Sequence, residues 1–240
     1  MEYKLKSYVA EFRNRFGYNS IEPIDFKSLL QRLDIITVFK PLSENFSGLS
    51  YKSDDNHFML INCNHSLGRQ NFTIGHELYH LFYDKTFSSH ICQTGLFPKK
   101  NLNETMADIF ASHLLLPTDG IIRLIPEEEQ EKDLISLSTL LKIEQTYQSS
   151  RAALLKQLIK LDLASKNFEE KFSTQIKGTA VLYGYTTELY EKTAEHAILG
   201  TYGSLANKLF QKDKITESLY QELMLSIGID VNEILPDEED

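Results

Sequence analysis

The sequence contains few cysteines and no long apolar run, and both features narrow the class of protein. Its 240 residues include two cysteines, Cys63 and Cys92, which lie far apart and in no metal-binding spacing. A disulfide-stapled scaffold and a cysteine-ligated zinc domain are therefore excluded. No apolar stretch approaches the roughly 18 residues that a membrane-spanning helix needs, and residues 1–16 lack the apolar core of a secretion signal. We expect a cytoplasmic protein with reduced thiols and no membrane partner.

The chain also lacks a surplus of positive charge. Its net charge is −9, and the whole imbalance lies in residues 126–240, because acidic and basic side chains cancel in residues 1–125. Proteins that bind nucleic acid through its phosphates usually carry a basic surface. The composition therefore argues against a large phosphate-binding surface in the second half of the chain.

Hydrophobic periodicity predicts an α+β fold whose strands come early in the chain. Residues 1–16 fit an amphipathic helix, and Asp25 can cap a second, short helix. Three strand-like runs follow at Ile35–Lys40, Phe46–Tyr51 and His57–Asn62, and the last two have the pattern of a hairpin.

Helices dominate the remainder of the predicted fold. One covers about Arg69–Asp84, and another runs from about Leu102 until Pro117 stops it. Later residues also have mainly helical patterns, apart from a strand predicted at Thr179–Tyr183.

A run of acidic residues at Pro126–Asp133 suggests a domain boundary. We place one domain in residues 1–125 and a mainly α-helical region, with regulation as its candidate role, in residues 126–240.

The helix over Arg69–Asp84 carries the pattern H-E-x-x-H. On a helix, His76 and His80 project from one face one turn apart, where both imidazoles can reach a single metal ion. Glu77 is displaced by one residue, which makes it a poor ligand but a good base for a water that the metal activates. Chance alone produces this pattern in about one such chain per hundred, so the motif needs a second feature beside it.

That second feature is a pair of carboxylates at the start of the next helix. Glu104 and Asp108 lie four residues apart and therefore share a face. A catalytic zinc usually takes three protein ligands and leaves one position open. One carboxylate can complete this set, and the other can accept a hydrogen bond from the far nitrogen of a ligating histidine. We take Glu104 as the ligand and Asp108 as the supporting group, with Asp108 as the replacement ligand.

The constellation predicts metal-assisted hydrolysis, with a peptide bond as the expected substrate. Two imidazoles and one carboxylate favour Zn²⁺, and Mn²⁺ is also compatible with these ligand types.

The two segments resemble the ImmA/IrrE family of metallo-endopeptidases. The resemblance rests on GRQNFTIGHELYH at residues 68–80 and on ETMADIFASHLLLP at residues 104–117. It implies that Glu104 is the third metal ligand and that Asp108 supports a histidine, a pattern that is also similar to thermolysin-type gluzincins.

This family resemblance covers residues 20–125 well and residues 134–161 more loosely. It implies a minimal zincin-like metallopeptidase domain in residues 1–125, in which a small mixed sheet packs on the two ligand-bearing helices, followed by a mainly helical C-terminal region. It also implies proteolysis of a regulatory protein partner, namely a helix-turn-helix repressor.

Tyr79 departs from the family pattern, which usually has glycine at this place in the motif. We expect the tyrosine side chain to lean away from the metal. The alternative is that it narrows the cleft or slows the enzyme.

Two expectations concern substrate contacts. We expect the strand His57–Asn62 to form a sheet edge above the metal, where it would pair with an extended substrate. For the group that stabilises the oxyanion, His65, Tyr83, His90 and His113 are candidates by residue type only, and none is assigned.

A second class of function remains open because residues 134–161 have a helix-turn-helix-like pattern. The second helix of this pair carries Arg151, Lys156 and Lys160, but its basic surplus is weak, so DNA binding is not expected. The alternative is a regulatory or toxin–antitoxin-type protein that binds a partner or DNA, with a structural or weakly active metal site. Glu77 favours the enzyme, since a structural site needs the histidines but not this carboxylate.

Overall fold

A mixed sheet and the helices around it make up the part of the chain that the computed structural model describes, namely residues 2–53, 56–84, 89–93 (backbone only), 102–193 and 197–231. The strands are Ile36–Lys40 (β1), Phe46–Ser53 (β2), Asn56–Asn62 (β3), Ser89–Gln93 (β4) and Ala197–Leu199 (β5). Their order across the sheet is β4-β2-β3-β1-β5. β1 runs parallel to β3, and the other neighbouring pairs are antiparallel. The α+β fold class predicted from the sequence is confirmed.

Helices fill most of the remaining described chain. They are Glu2–Arg15 (α1), Phe26–Arg32 (α2), Leu67–Tyr83 (α3), Leu102–Leu115 (α4), Thr118–Leu124 (α5), Leu137–Tyr147 (α6), Arg151–Lys160 (α7), Lys166–Phe172 (α8), Ile176–Leu182 (α9), Tyr202–Gln211 (α10) and Glu217–Leu225 (α11). Two short 3₁₀ turns lie at Glu127–Glu129 and Glu188–Tyr190. Within the described ranges, none of the helices combines the length and apolarity needed to cross a bilayer.

Local sequence signals predicted the N-terminal elements well. The apolar stripe of α1 buries Leu5, Val9 and Phe12. Asp25 caps α2 by accepting a hydrogen bond from the main-chain N–H of Ser28 (3.2 Å). The three early strands and the β2–β3 hairpin also form as expected.

The strand predicted at Thr179–Tyr183 is wrong, because these residues belong mostly to α9. The alternation of side chains fits a strand, but a lone strand would leave its main-chain groups unpaired. The helix satisfies them locally: the main-chain N–H of Tyr183 donates to the carbonyl oxygen of Thr179 (3.2 Å).

The prediction of a sheet edge at His57–Asn62 is also wrong. β3 lies between β1 and β2, so that Met59 pairs with Thr37 on one side and Ser50 on the other. The hairpin partner β2 occupies one side of β3, and the parallel strand β1 occupies the other. With both rows of main-chain groups used, β3 cannot pair with an extended substrate.

One buried core extends from the sheet across residue 126. The core cluster includes Ile121 and Ile125 before this point and Leu140 and Leu154 after it. The same continuity appears in the contact of α4 with α7, where the Ser112 hydroxyl donates to Gln157 Oε1 (2.8 Å). The domain boundary at residues 125/126 stays a prediction, but α6 and α7 share the core of the sheet domain.

Arg151 is buried in this shared core. Its guanidinium donates to both carboxylate oxygens of Glu144 and to the carbonyl oxygen of Phe172 (3.0 Å). Tyr190 adds a hydrogen bond from its hydroxyl to Glu144 Oε2 (2.7 Å). Arg151, the first residue of the helix that would contact DNA, therefore connects α7 with α6 and α8, and its partner Glu144 adds the segment of Tyr190.

Arg151→Ala should lower the free energy of unfolding by about 3–5 kcal/mol, because it leaves the charge of Glu144 buried without its counter-ion. Urea unfolding monitored by circular dichroism measures the change. Lys156→Ala, on an exposed position of the same helix, should change the stability by no more than about 0.5 kcal/mol. An Arg151 variant as stable as the unmodified protein would contradict this account of the core.

Candidate metal centre

The helices α3 and α4 approach each other closely where two small residues meet. A Cβ atom added to Gly75 would lie 3.3 Å from both the Cα and the Cβ of Ala111, which is tighter than ordinary contact. On its other side α3 lies against β2, where a Cβ at Gly48 would come within 2.6 Å of the Thr73 side chain. The helix that carries the motif is thus fixed between α4 and the sheet.

This packing brings three buried side chains to one point. His76 Nε2 and His80 Nε2 lie 3.2 Å apart. One oxygen of Glu104 lies 3.2 Å from His76 Nε2, and the other lies 3.3 Å from His80 Nε2. Zinc bonds of about 2.0–2.1 Å in tetrahedral directions place ligand atoms about 3.3 Å from one another. The spacing of the three groups therefore fits a zinc-sized ion.

The far nitrogens of both histidines face carboxylates. His76 Nδ1 lies 2.9 Å from Asp108 Oδ1, and His80 Nδ1 lies 3.2 Å from Asp84 Oδ2. Because an ionised carboxylate only accepts, each Nδ1 donates, and each Nε2 is left with its lone pair.

Two nitrogen lone pairs and a carboxylate thus face one another in a buried space. With both imidazoles neutral these atoms repel one another, and the donor set therefore suits a divalent metal ion between them.

Asp108 lies on the far side of His76 from the other candidate ligands. It contacts the nitrogen of His76 that points away from Glu104 and His80, and its side chain is 60% exposed. Glu104, by contrast, is buried with the histidines. The geometry favours Glu104 over Asp108 as the third ligand.

Glu77 follows His76 in α3 and is fully buried. One of its carboxylate oxygens accepts a hydrogen bond, and the other has no partner among the described residues. Its Oε2 accepts a hydrogen bond from the Ser50 hydroxyl of β2 (2.5 Å). Its Oε1 is buried and has no hydrogen-bond partner among the described residues. An unpartnered buried carboxylate oxygen is costly, so this atom is suited to receive a proton from a bound water.

Sequence reasoning placed Asp84 on the face of the two histidines without giving it a role, and it missed Ser50. Asp84 follows His80 by four residues, so the spacing rule that linked Glu104 to Asp108 applies to it as well. Ser50 belongs to a different element, 27 residues before Glu77. Nothing in the local pattern indicates that contact.

Tyr79 leans away from the metal ligands and into α4, as expected. Its hydroxyl contacts the sulfur of Met106 (3.5 Å), and its ring meets that of His80 edge-on at 5.6 Å. Burial raises the pKa of Tyr79 to about 12, so the phenol stays neutral. The residue fills space between the two ligand helices.

Three of the four side chains considered for oxyanion stabilisation have partners elsewhere. The Tyr83 hydroxyl donates to a main-chain oxygen of α1 (3.1 Å). His65 Nε2 lies 3.0 Å from a main-chain oxygen in the β1–β2 connection, and His113 Nε2 lies 3.4 Å from a carboxylate of α1. The side chain of His90 lies outside the described residues. None of the four is assigned to the oxyanion.

Comparison with protein families matches residues 30–158 to the peptidase family described as IrrE N-terminal-like domain. The chain belongs to this family. The match covers more than half of the 240 residues, from within α2 to within α7, and so includes strands β1 to β4 and both ligand helices. A search of curated proteins gave no significant match. Family membership supports a metallopeptidase-type function and agrees with the candidate metal site.

Glu104→Gln should weaken Zn²⁺ binding on the order of 100-fold or more, because loss of a ligand exceeds the 10–100-fold effect of supporting residues. Asp108→Asn should weaken it only about 10-fold, since this exposed carboxylate is partly screened by water. Competition with a chromophoric chelator measures both dissociation constants. If the Asp108 variant loses more affinity than the Glu104 variant, the assignment of the third ligand is wrong.

Proposed function

We propose that the protein is a zinc-dependent endopeptidase that hydrolyses a peptide bond in a specific regulatory protein. The observation that carries this proposal is the buried, unpartnered Oε1 of Glu77, the residue that follows His76 in α3, together with the converging atoms of His76, His80 and Glu104. A purely structural metal site needs three or four ligands but no free base next to them.

Zinc is the first choice of metal because of the ligand types and their spacing. Two imidazoles and one carboxylate form the usual set of a hydrolytic zinc site, and Mn²⁺ is the second choice. When bound, such an ion supplies Lewis-acid polarisation of the scissile carbonyl and lowers the pKa of a water beside it.

The residues of the chain perform the proton transfers in the proposed mechanism. Ser50 occupies Oε2 of Glu77 through its hydrogen bond and leaves Oε1 to take a proton. Glu77 Oε1 accepts the proton of the water as it attacks the carbonyl carbon, and returns that proton to the leaving amine. Asp84 and Asp108 keep the two imidazoles oriented through their Nδ1 hydrogens.

The nature of the substrate rests on the family resemblance. We propose a helix-turn-helix repressor encoded beside this protein as the first candidate. A cytoplasmic location is part of the same proposal, since the substrate is a regulator of transcription.

The alternative of a DNA-binding regulator has less support. Arg151, which would begin the recognition helix, is buried against Glu144. The helix pair also packs into the core of the peptidase domain. These contacts favour a structural role for residues 134–161.

Glu77→Gln should abolish cleavage, at least about 100-fold in rate, while Zn²⁺ binding persists, because the amide cannot accept the proton yet all three ligands remain. The test incubates the purified protein with the neighbouring repressor, with and without Zn²⁺ or Mn²⁺, and identifies products by mass spectrometry. Glu222→Gln, which removes the same charge at an exposed position, should cleave normally.

Undiminished cleavage by the Glu77 variant would overturn the mechanism. A strong, salt-dependent shift of duplex DNA by the unmodified protein, without proteolysis, would support the DNA-binding alternative instead.

A further inference from the structure

We propose that Asp84, held in place by Asn103, is the residue that positions His80 for metal binding and raises the affinity of the site for its ion. This inference rests on the proposed zinc centre. It assigns a distinct function to the junction between the end of α3 and the start of α4.

Contacts from two helices hold the carboxylate of Asp84. Its Oδ2 accepts a hydrogen bond from His80 Nδ1 (3.2 Å) and another from the side-chain amide of Asn103 (3.2 Å). Its main-chain N–H donates to the carbonyl oxygen of Tyr79 (3.2 Å), which fixes the backbone at the end of α3. The carboxylate is therefore held in one orientation relative to the imidazole.

Asn103 connects this contact to the third ligand. It directly precedes Glu104 in the first turn of α4. Its amide thus links a ligand on α4 to the orientation of a ligand on α3. The four residues form a continuous path from His80 through Asp84 and Asn103 to Glu104.

Helix stability alone does not explain an aspartate at position 84. The carboxyl end of a helix carries a partial negative charge, so an acidic residue placed there is unfavourable by electrostatics. Only 8% of the Asp84 side chain is exposed, which adds a desolvation cost. Both effects oppose an aspartate at this position, whereas its hydrogen bond with His80 gives it a role at the metal site.

Burial also makes Asp84 a stronger partner for its histidine than Asp108 is for His76. Asp108 lies closer, at 2.9 Å, but 60% of its side chain is exposed to water. An interaction between charges or dipoles weakens in proportion to the local dielectric constant, which differs several-fold between water and a protein interior. The difference of 0.3 Å between the two nitrogen–oxygen distances changes the interaction energy far less. We expect the environment to outweigh the distance.

The test uses the full-length chain and measures its Zn²⁺ affinity and its unfolding temperature. A chelator first removes any bound metal, and the protein is then titrated with zinc in competition with a chromophoric chelator. Asp84→Asn should weaken binding between about 10- and 100-fold, and more than Asp108→Asn does. Asp84→Ala, which removes the acceptor altogether, should weaken it further, and Asn103→Ala should give a smaller loss. Asp213→Asn removes a charge from an exposed residue just after the end of α10 and should leave the affinity unchanged.

The unfolding temperature separates a positioning role from a structural one. The metal-free Asp84→Asn protein should unfold within about 3 °C of the unmodified protein, or higher, because an unfavourable charge at a helix end has been removed. The increase that zinc produces should be smaller in the variant. In NMR spectra of the zinc-loaded protein, the imidazole Nδ1–H signal of His80 should shift while that of His76 stays in place.

Unchanged zinc affinity in both Asp84 variants would overturn the proposal. So would a large loss of stability in the metal-free variants, since Asp84 would then act on the fold. Failure of the proposed peptidase activity is a separate result. If the unmodified protein cleaves no substrate but the Asp84 variants still bind zinc more weakly, the proposed enzyme activity is refuted and the positioning role of Asp84 stands.

Discussion

The candidate metal centre depends on the close approach of α3 and α4. Gly75 lies against Ala111, and a side chain at the glycine would have to displace the backbone of the neighbouring helix. The next residue after Gly75 is His76, whose Nε2 must come within 3.2 Å of Glu104. Two small residues at the contact therefore permit ligands from separate helices to meet at one point.

The same packing places an unusual number of polar side chains in the interior. His76, His80, Glu77 and Glu104 are all buried. Their desolvation is partly compensated by carboxylates on the far nitrogens of the histidines and by Ser50 on Glu77. The inward-facing atoms of His76, His80 and Glu104 are of the types that bind metal ions. A cation is the natural complement of this arrangement, and the peptidase family to which the chain belongs agrees with it.

The C-terminal half of the chain is joined to the peptidase domain by more than a linker. α6 and α7 bury apolar residues in the shared core, and the family match extends to residue 158. The ion pair of Arg151 with Glu144 then ties this helix pair to the end of α8 and to the turn at Tyr190. These buried contacts connect the later segments to the core of the sheet domain.

Spacing along single helices made much of the metal centre predictable from the sequence. The helical repeat of 3.6 residues places His76 with His80, and Glu104 with Asp108, whatever surrounds them. Apolar periodicity likewise predicted α1, α3, α4 and the β2–β3 hairpin, since each signal is local.

Other features were decided by the tertiary structure. β3 is a central strand because β1 pairs with it on the side opposite β2. The order of strands in a sheet depends on which strand edges pair. The Thr179–Tyr183 segment adopted a helix because a lone strand there would leave its main-chain groups unpaired, whereas a helix pairs them locally. The contact of Ser50 with Glu77 and the burial of Arg151 join residues from different elements.

The sequence by itself therefore determined which side chains share a helix face. Only the tertiary structure decided which of these faces meet and which charges lose contact with water. The physical reason is that local hydrogen bonding sets the direction of a side chain, whereas its partners and its desolvation depend on packing between elements that are distant along the chain.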